Sequence, residues 1–209
     1  MVEEPLTDSA IAQWVERANL AADPFFDLYE ASESHRAVHG CDVFPSGNAP
    51  ILTMLVSMAR PRRVLEVGCG LGYSALSLAR GCGEGAVVET IEHDSMHADL
   101  AEANIAAKGF AERIRVLRGN SHEVLRSLAG PYEFVFFDGD PAGCVADLHE
   151  FERLVPPGGV LVSSNLFLGR YVPDAPWIPD LAAYRSRLIE GSTWDTVFFS
   201  GGKALSRRR

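Results

Sequence analysis

Residues 63–74 read RVLEVGCGLGYS, and this stretch decides the fold. Arg63 to Val67 is a short aliphatic run closed by a glycine, the signature of a buried strand. Gly68, Gly70 and Gly72 crowd the turn that follows, and Ser74 to Arg80 continues with helical spacing and good helix formers. A strand, a glycine turn and a helix make the first half of an α/β unit in which missing Cβ atoms let a ligand approach the backbone.

Outward from that turn the alternation continues. Ala86 to Ile91, Ile114 to Leu117, Phe134 to Phe137 and Val160 to Val162 read as strands, and Ser95 to Lys108, Ser121 to Leu128 and Cys144 to Leu154 as helices. This order implies right-handed crossovers, a mostly parallel sheet and helices on both faces, a Rossmann-like α/β fold. After Val162 come a loop rich in proline and aromatics, a helix near Leu181 to Ile189, and two runs, Trp194 to Phe199 and Ala204 to Ser206. Ser200-Gly201-Gly202 joins the two runs as a closing antiparallel hairpin. Before residue 60, helical spacing appears in Ile11 to Leu20, Phe25 to Tyr29 and Ile51 to Met58, broken by a turn around Gly40 to Gly47. The expected organisation is one domain over 1–209, with a helical appendage over 1–60 on a cofactor-binding α/β core over 61–209.

Asp and Glu outnumber Lys and Arg by 28 to 19, a net charge of −9 that repels a polyanion and argues against a nucleic-acid partner. Arg207, Arg208 and Arg209 form a dense basic run, read as a solvated tail without function. Cys41, Cys69, Cys82 and Cys144 lie far apart, with no Cys-x-x-Cys pair and no histidine at zinc-finger spacing, so neither a disulfide framework nor a structural zinc site is expected. That cysteine usage suits a reducing cytoplasm. No export signal or membrane-length apolar stretch is read either, so neither secretion nor a membrane partner is expected.

Open α/β sheets take ligands at the carboxyl ends of their strands, so the residues after each run are the site candidates. The first turn departs from a dinucleotide fingerprint, because Tyr73 stands where the third glycine belongs and Gly72 comes one residue early. Glu66 would repel a pyrophosphate but suits a ligand bearing ammonium and sulfonium charges, which favours S-adenosylmethionine over a nicotinamide dinucleotide. A glycine turn kept only for tight strand–helix packing is the plainer alternative. Glu92 ends the second strand 24 residues after Gly68, where an acid accepts hydrogen bonds from ribose hydroxyls. Ser121, after the third strand, reads equally as a helix N-cap.

Taken in order, VLEVGCGLGYSAL, TIEHD, IRVLRGNSHEVL, YEFVFFDGD and LVPPGGVLVSSN resemble the class I S-adenosylmethionine-dependent methyltransferases, and among them the catechol and caffeoyl-coenzyme A O-methyltransferase family. The resemblance runs from about Phe44 to the C-terminus. It implies about seven strands with an antiparallel last one. It also implies that Glu66, Gly68, Gly70, Gly72, Tyr73 and Ser74 surround the methionine part of the cofactor, and that Glu92 meets its ribose. His93, Ser121 and His122 would lie near the adenine, and Asp138 at the methyl-donor end. A homodimer assembled through N-terminal segments is a further implication.

The family pattern breaks at two positions. Its metal-dependent members hold magnesium with a first aspartate and an Asp-Asn pair, and a nearby lysine removes the proton. Asp138 and Asn165 match, but Ser164 stands for the second aspartate and Pro141 for the lysine. Losing a carboxylate weakens a hard-cation site, which leaves the magnesium requirement open. Asp140 is a candidate substitute ligand or base, with His35 and His39 as further bases, while Lys108 and Lys203, the only lysines, lie in segments away from the pocket or in the last hairpin. Phe167, Tyr171 and Trp177 in the loop 166–180 are expected around a flat acceptor ring or, equally, in the packing of that loop. The expected activity is O-methylation of a small aromatic hydroxyl compound with Asp138, Asp140 and Asn165 at the chemistry. The alternative is an inactive adenosylmethionine-binding protein acting as a sensor or partner subunit.

Overall fold

The five runs around the glycine turn all form parallel strands of one sheet. A computed structural model describes residues 7–45, 49–199 and 201–209. The strands are β1 (Arg63–Val67), β2 (Val87–Glu92), β3 (Ile114–Arg118), β4 (Phe134–Phe137), β5 (Val160–Ser163), β6 (Trp194–Phe199) and β7 (Lys203–Arg208). The helices are α1 (Asp8–Ala21), α2 (Phe26–His39), α3 (Ala49–Ala59), α4 (Tyr73–Gly81), α5 (Ser95–Ala107), α6 (Ser121–Ser127), α7 (Cys144–Leu154) and α8 (Ile178–Glu190). The sheet order is β3-β2-β1-β4-β5-β7-β6, and β7 runs against both of its neighbours.

β1 lies inside the sheet between β2 and β4, and its alternation splits the interior in two. Val64, with Phe134 and Phe136 of β4, faces the layer built by α3 and α4, where Leu52, Val56, Leu76 and Leu78 are buried. Leu65 and Val67, with Val135 and Phe137, face α7 and α8, where Phe151, Tyr184 and Leu188 are buried. Each such side chain contributes about 1.5–3 kcal/mol of apolar burial, so the two layers carry the stability that chain ordering opposes. At the amino end of the sheet a buried network adds specificity. Glu89 accepts from the Tyr132 hydroxyl at 2.8 Å and pairs with Arg63 at 2.8 Å.

Two expectations change. Phe25 to Tyr29 is only the beginning of α2, which runs on to His39 and stops at Gly40, in the left-handed conformation (φ +62°) that a C-cap requires. The terminal arginines are not a solvated tail: Arg207 and Arg208 belong to β7, Arg208 stacks over the Trp194 ring, and Arg209 Nε donates to Asp195 at 2.7 Å. Backbone pairing with Val160 of β5 outweighs the hydration of a basic run. The turn expected over Gly40 to Gly47 is described only as far as Pro45, and Ser200 also lies outside the described residues. No described helix is long and apolar enough to cross a membrane.

Candidate functional site

The order of the sheet reverses at β1, whose neighbours are β2 on one side and β4 on the other. Loops leaving β1 and β4 therefore part and leave a crevice at their carboxyl ends. The turn after β1 lines it. Gly68 has φ +95°, and a Cβ there would stand 2.4 Å from the Asp138 carbonyl oxygen, so glycine is required both by conformation and by space. The Gly70 amide donates to Glu92 Oε2 at 2.8 Å, and Gly72, at φ +93°, opens α4.

Two carboxylates at the ends of β1 and β2 flank this turn. Glu66 is fully buried, and its Oε2 accepts from the Thr90 hydroxyl at 2.5 Å, while Oε1 has no hydrogen-bond partner. Burial pushes its carboxyl up to about 8, against the pull of the Thr90 and Ser74 hydroxyls. A buried acid with an unused oxygen is the group that a cationic ligand would ionise. Glu92 is buried too, and its Oε1 accepts from the Asp94 amide at 2.9 Å. His93 points largely to solvent, with Nδ1 3.3 Å from Glu92.

Other candidates are placed differently from one another. Tyr73 turns its ring into the core, where its hydroxyl donates to Asp23, and burial and that carboxylate raise its pKa. It thus offers the crevice its backbone, while Ser74 lies beside Glu66. Ser121 is not the cap of α6: Asn120 takes that role, accepting the His122 amide at 3.0 Å, and Ser121 becomes the first helical residue. His122 Nδ1 lies 2.6 Å from the buried Asp147 of α7.

At the end of β4, Asp138 Oδ1 accepts from the Asn165 amide at 2.5 Å, and Asn165 holds a left-handed φ of +60°. The hydroxyl of Ser164 and the charge of Lys203 hold the Asp138 carboxyl down, and burial wins, lifting it to about 6. Lys203 lies in the last hairpin as expected, and the sheet brings that hairpin to the site. β7 pairs Ala204 with Ser163, so Lys203 stands beside the segment Ser164-Asn165, where the Leu166 amide donates to the Gly202 carbonyl at 2.9 Å. No local motif marks Lys203, since only the return of the last strand brings it here. Asp140, by contrast, is exposed and accepts the Ala142 amide at 2.8 Å within its own turn. His35 and His39 stack on each other, and His35 packs against His97 of α5. Of the magnesium ligands that the resemblance implies, Asp138 and Asn165 are present and bonded to each other, with one carboxylate in place of two and the Lys203 charge acting on it, which makes a weaker site for a hard cation.

Beyond Asn165 a cavity of about 580 Å³ opens between Phe167, Pro173, Ile178, Leu181, Arg185 and Phe199. A narrower space lined by Asn165, Phe167 and Tyr171 adjoins it. Of the expected aromatics, Phe167 lines both spaces and Tyr171 the narrower, whereas Trp177 packs onto the α7–α8 side of the core.

A mostly parallel sheet with one reversed strand, and a glycine turn flanked by acids at its switch point, define the class I methyltransferase architecture. Comparison narrows this. Residues 65–165 match the family described as Methyltransferase domain. A catechol O-methyltransferase of Mycobacterium tuberculosis is 38% identical over 119 residues, which are 56% of this chain and about half (54%) of that one. A protein of Mycobacterium sp. (strain JLS) that bears the name "Putative O-methyltransferase" is 34% identical over 152 residues, 71% of this chain and 69% of its own. Cofactor-bound Rv0187 from MTB shares the fold over 99% of both chains, with a TM-score of 0.83 and 27% identity. The chain belongs to the O-methyltransferase family.

Proposed function

We propose that the chain binds S-adenosylmethionine at the glycine turn and methylates a hydroxyl of a small aromatic acceptor held in the cavity beside Phe167. The observation that carries this is the pair of buried acids, Glu66 and Glu92, on either side of a turn with three left-handed glycines. Such a site repels a pyrophosphate and attracts an ammonium group and ribose hydroxyls. When bound, S-adenosylmethionine supplies a methyl group on a sulfonium, and its transfer to oxygen leaves S-adenosylhomocysteine and an ether.

This chain's residues supply alignment and charge. When S-adenosylmethionine is bound, Glu66 would hold its amino group and Glu92 its ribose hydroxyls, which would order the donor for transfer. Asp138, anchored by Asn165, accepts the acceptor hydroxyl's proton, and Lys203 stabilises the oxygen anion in the place vacated at Pro141. No step is routed through magnesium, since the site keeps one carboxylate and carries the Lys203 charge. Titration calorimetry with S-adenosylhomocysteine and, separately, NAD tests the cofactor. Binding of the first alone supports the reading, and binding of neither overturns it. Turnover of catechol with and without magnesium then tests the chemistry. Activity abolished by a chelator would overturn the role given to Lys203.

The exposed surface supports the further reading that the chain forms a homodimer. Ile11, Trp14 and Val15 on α1, and Ile51, Met54 and Met58 on α3, are large apolar side chains exposed at helical spacing, more than a lone chain usually leaves to water. Light scattering at low concentration gives twice the chain mass if a second copy covers them.

A further inference from the structure

Away from the crevice, one cluster of ligating side chains has no role in methyl transfer. His35 on α2, Cys41 just past its end and His97 in the first turn of α5 each bring a ligating atom within 4.8 Å of the other two. Nε2 of His35 and Nε2 of His97 are both buried without a hydrogen-bond partner. His97 is 7% exposed. Buried imidazole nitrogens are normally satisfied, so two unpaired ones facing a thiol call for a partner that is not a protein atom.

The donors identify the chemistry. One thiolate and two imidazoles suit a borderline-soft ion such as zinc, and not magnesium or calcium, which take oxygen. Ligands on tetrahedral zinc lie about 3.3–3.6 Å apart, given metal–nitrogen and metal–sulfur distances near 2.0 and 2.3 Å, so small side-chain rotations close the site. Asp94 stands where an outer carboxylate would: it caps α5 by accepting the His97 amide at 2.9 Å, and its Oδ1 lies 3.9 Å from His97 Nδ1, beyond hydrogen-bond distance. The ring of His39 stacks on His35 at 4.3 Å between centroids.

We propose that His35, Cys41 and His97 form a zinc site that clips the helical N-terminal layer to α5. The clip would fasten the segment that carries Val43, the side chain packed over Gly70. It does not depend on the methyl-transfer reading, since no ligand of the crevice takes part.

Cobalt(II) serves as the optical probe on the full chain, stripped with chelator and kept reduced. The expected result is one equivalent of cobalt with tetrahedral d–d bands and a thiolate charge-transfer band, both removed by added zinc. Cys41→Ser should remove the charge-transfer band, and His97→Gln should weaken zinc binding by more than about 10-fold, since loss of even an outer partner of a ligand costs about 10- to 100-fold. Zinc should raise the thermal midpoint of the wild type but not of Cys41→Ser, with the metal-free midpoints alike. A wild-type spectrum without the charge-transfer band would overturn the site, as would a band that persists in Cys41→Ser.

Discussion

Replacing Glu66 by glutamine removes a titration that the buried site imposes on folding. In the folded chain the Glu66 carboxyl is lifted from its ordinary 4.5 to about 8, chiefly by burial. A folded-state pKa above the unfolded one gives a contribution that is fully present below pH 4.5 and is lost as pH rises through 8. A shift of roughly 3.5 units at about 1.4 kcal/mol per unit makes that loss about 5 kcal/mol above pH 8. A domain's whole stability is about 5–15 kcal/mol, so the effect is large enough to read. Glutamine cannot titrate. Its oxygen keeps the Thr90 hydrogen bond, while its NH2 group takes the place of the unpartnered Oε1 at a pH-independent cost of about 1–3 kcal/mol. Urea unfolding of both proteins from pH 5 to pH 9 reads the slope, since titrations distant from Glu66 cancel in the difference and only those of its neighbours Asp138 and Glu92 stay coupled to it. Wild type should lose stability relative to Glu66→Gln by several kcal/mol across that range, and a difference that stays flat would refute the buried, protonated carboxyl.

The other predictions are more compact. Gly68→Ala and Gly40→Ala both force a left-handed side chain, but only at Gly68 would the new Cβ meet backbone, so Gly40→Ala should cost about 1 kcal/mol and Gly68→Ala several, by chemical denaturation. Lys203→Met should lower kcat by about 10- to 100-fold with little change in S-adenosylhomocysteine affinity, measured by single-turnover assay and calorimetry. With the Asp138 carboxyl near 6, kcat should fall as pH drops through that value, and in Lys203→Met the fall should move to higher pH because the cation that held the carboxyl down is gone. Tyr132→Phe removes the hydroxyl bound to Glu89 but leaves the Arg63 pair, so about 1 kcal/mol should be lost in urea.

How much of this was legible in the chain depended on range. The strands around Gly68 and the turn itself are written in short apolar runs, and the structure moves their ends by a residue or so. Most of α2 was not legible, because beyond Tyr29 it carries Ser32, Glu33, Ser34 and His35 with few apolar residues to mark a stripe. The arginines at the end misled for the opposite reason: their composition suggests water, while their backbone completes a sheet. Ser121 resembled a cap until Asn120, one residue earlier, took the amide. In the crevice, Glu66, Glu92 and Asp138 could be named from strand ends alone. Lys203 and the trio His35, Cys41 and His97 could not, since only the packing of distant elements brings them to their partners.

The two margins of the sheet are finished differently. β3 ends it on one side with Arg115 and Arg118, the latter tied to Asp99 at 2.8 Å and Glu102 at 2.7 Å, a charged border that discourages a further strand. β6 ends it on the other side with Val197 and Phe199 in solvent and Asp195 as its one acid. That margin has unpaired backbone groups, β-forming side chains and a single gatekeeper, the makings of strand addition between molecules. In crowded or heated solution β6 is the margin more open to strand addition, guarded by Asp195 and the Arg209 paired with it.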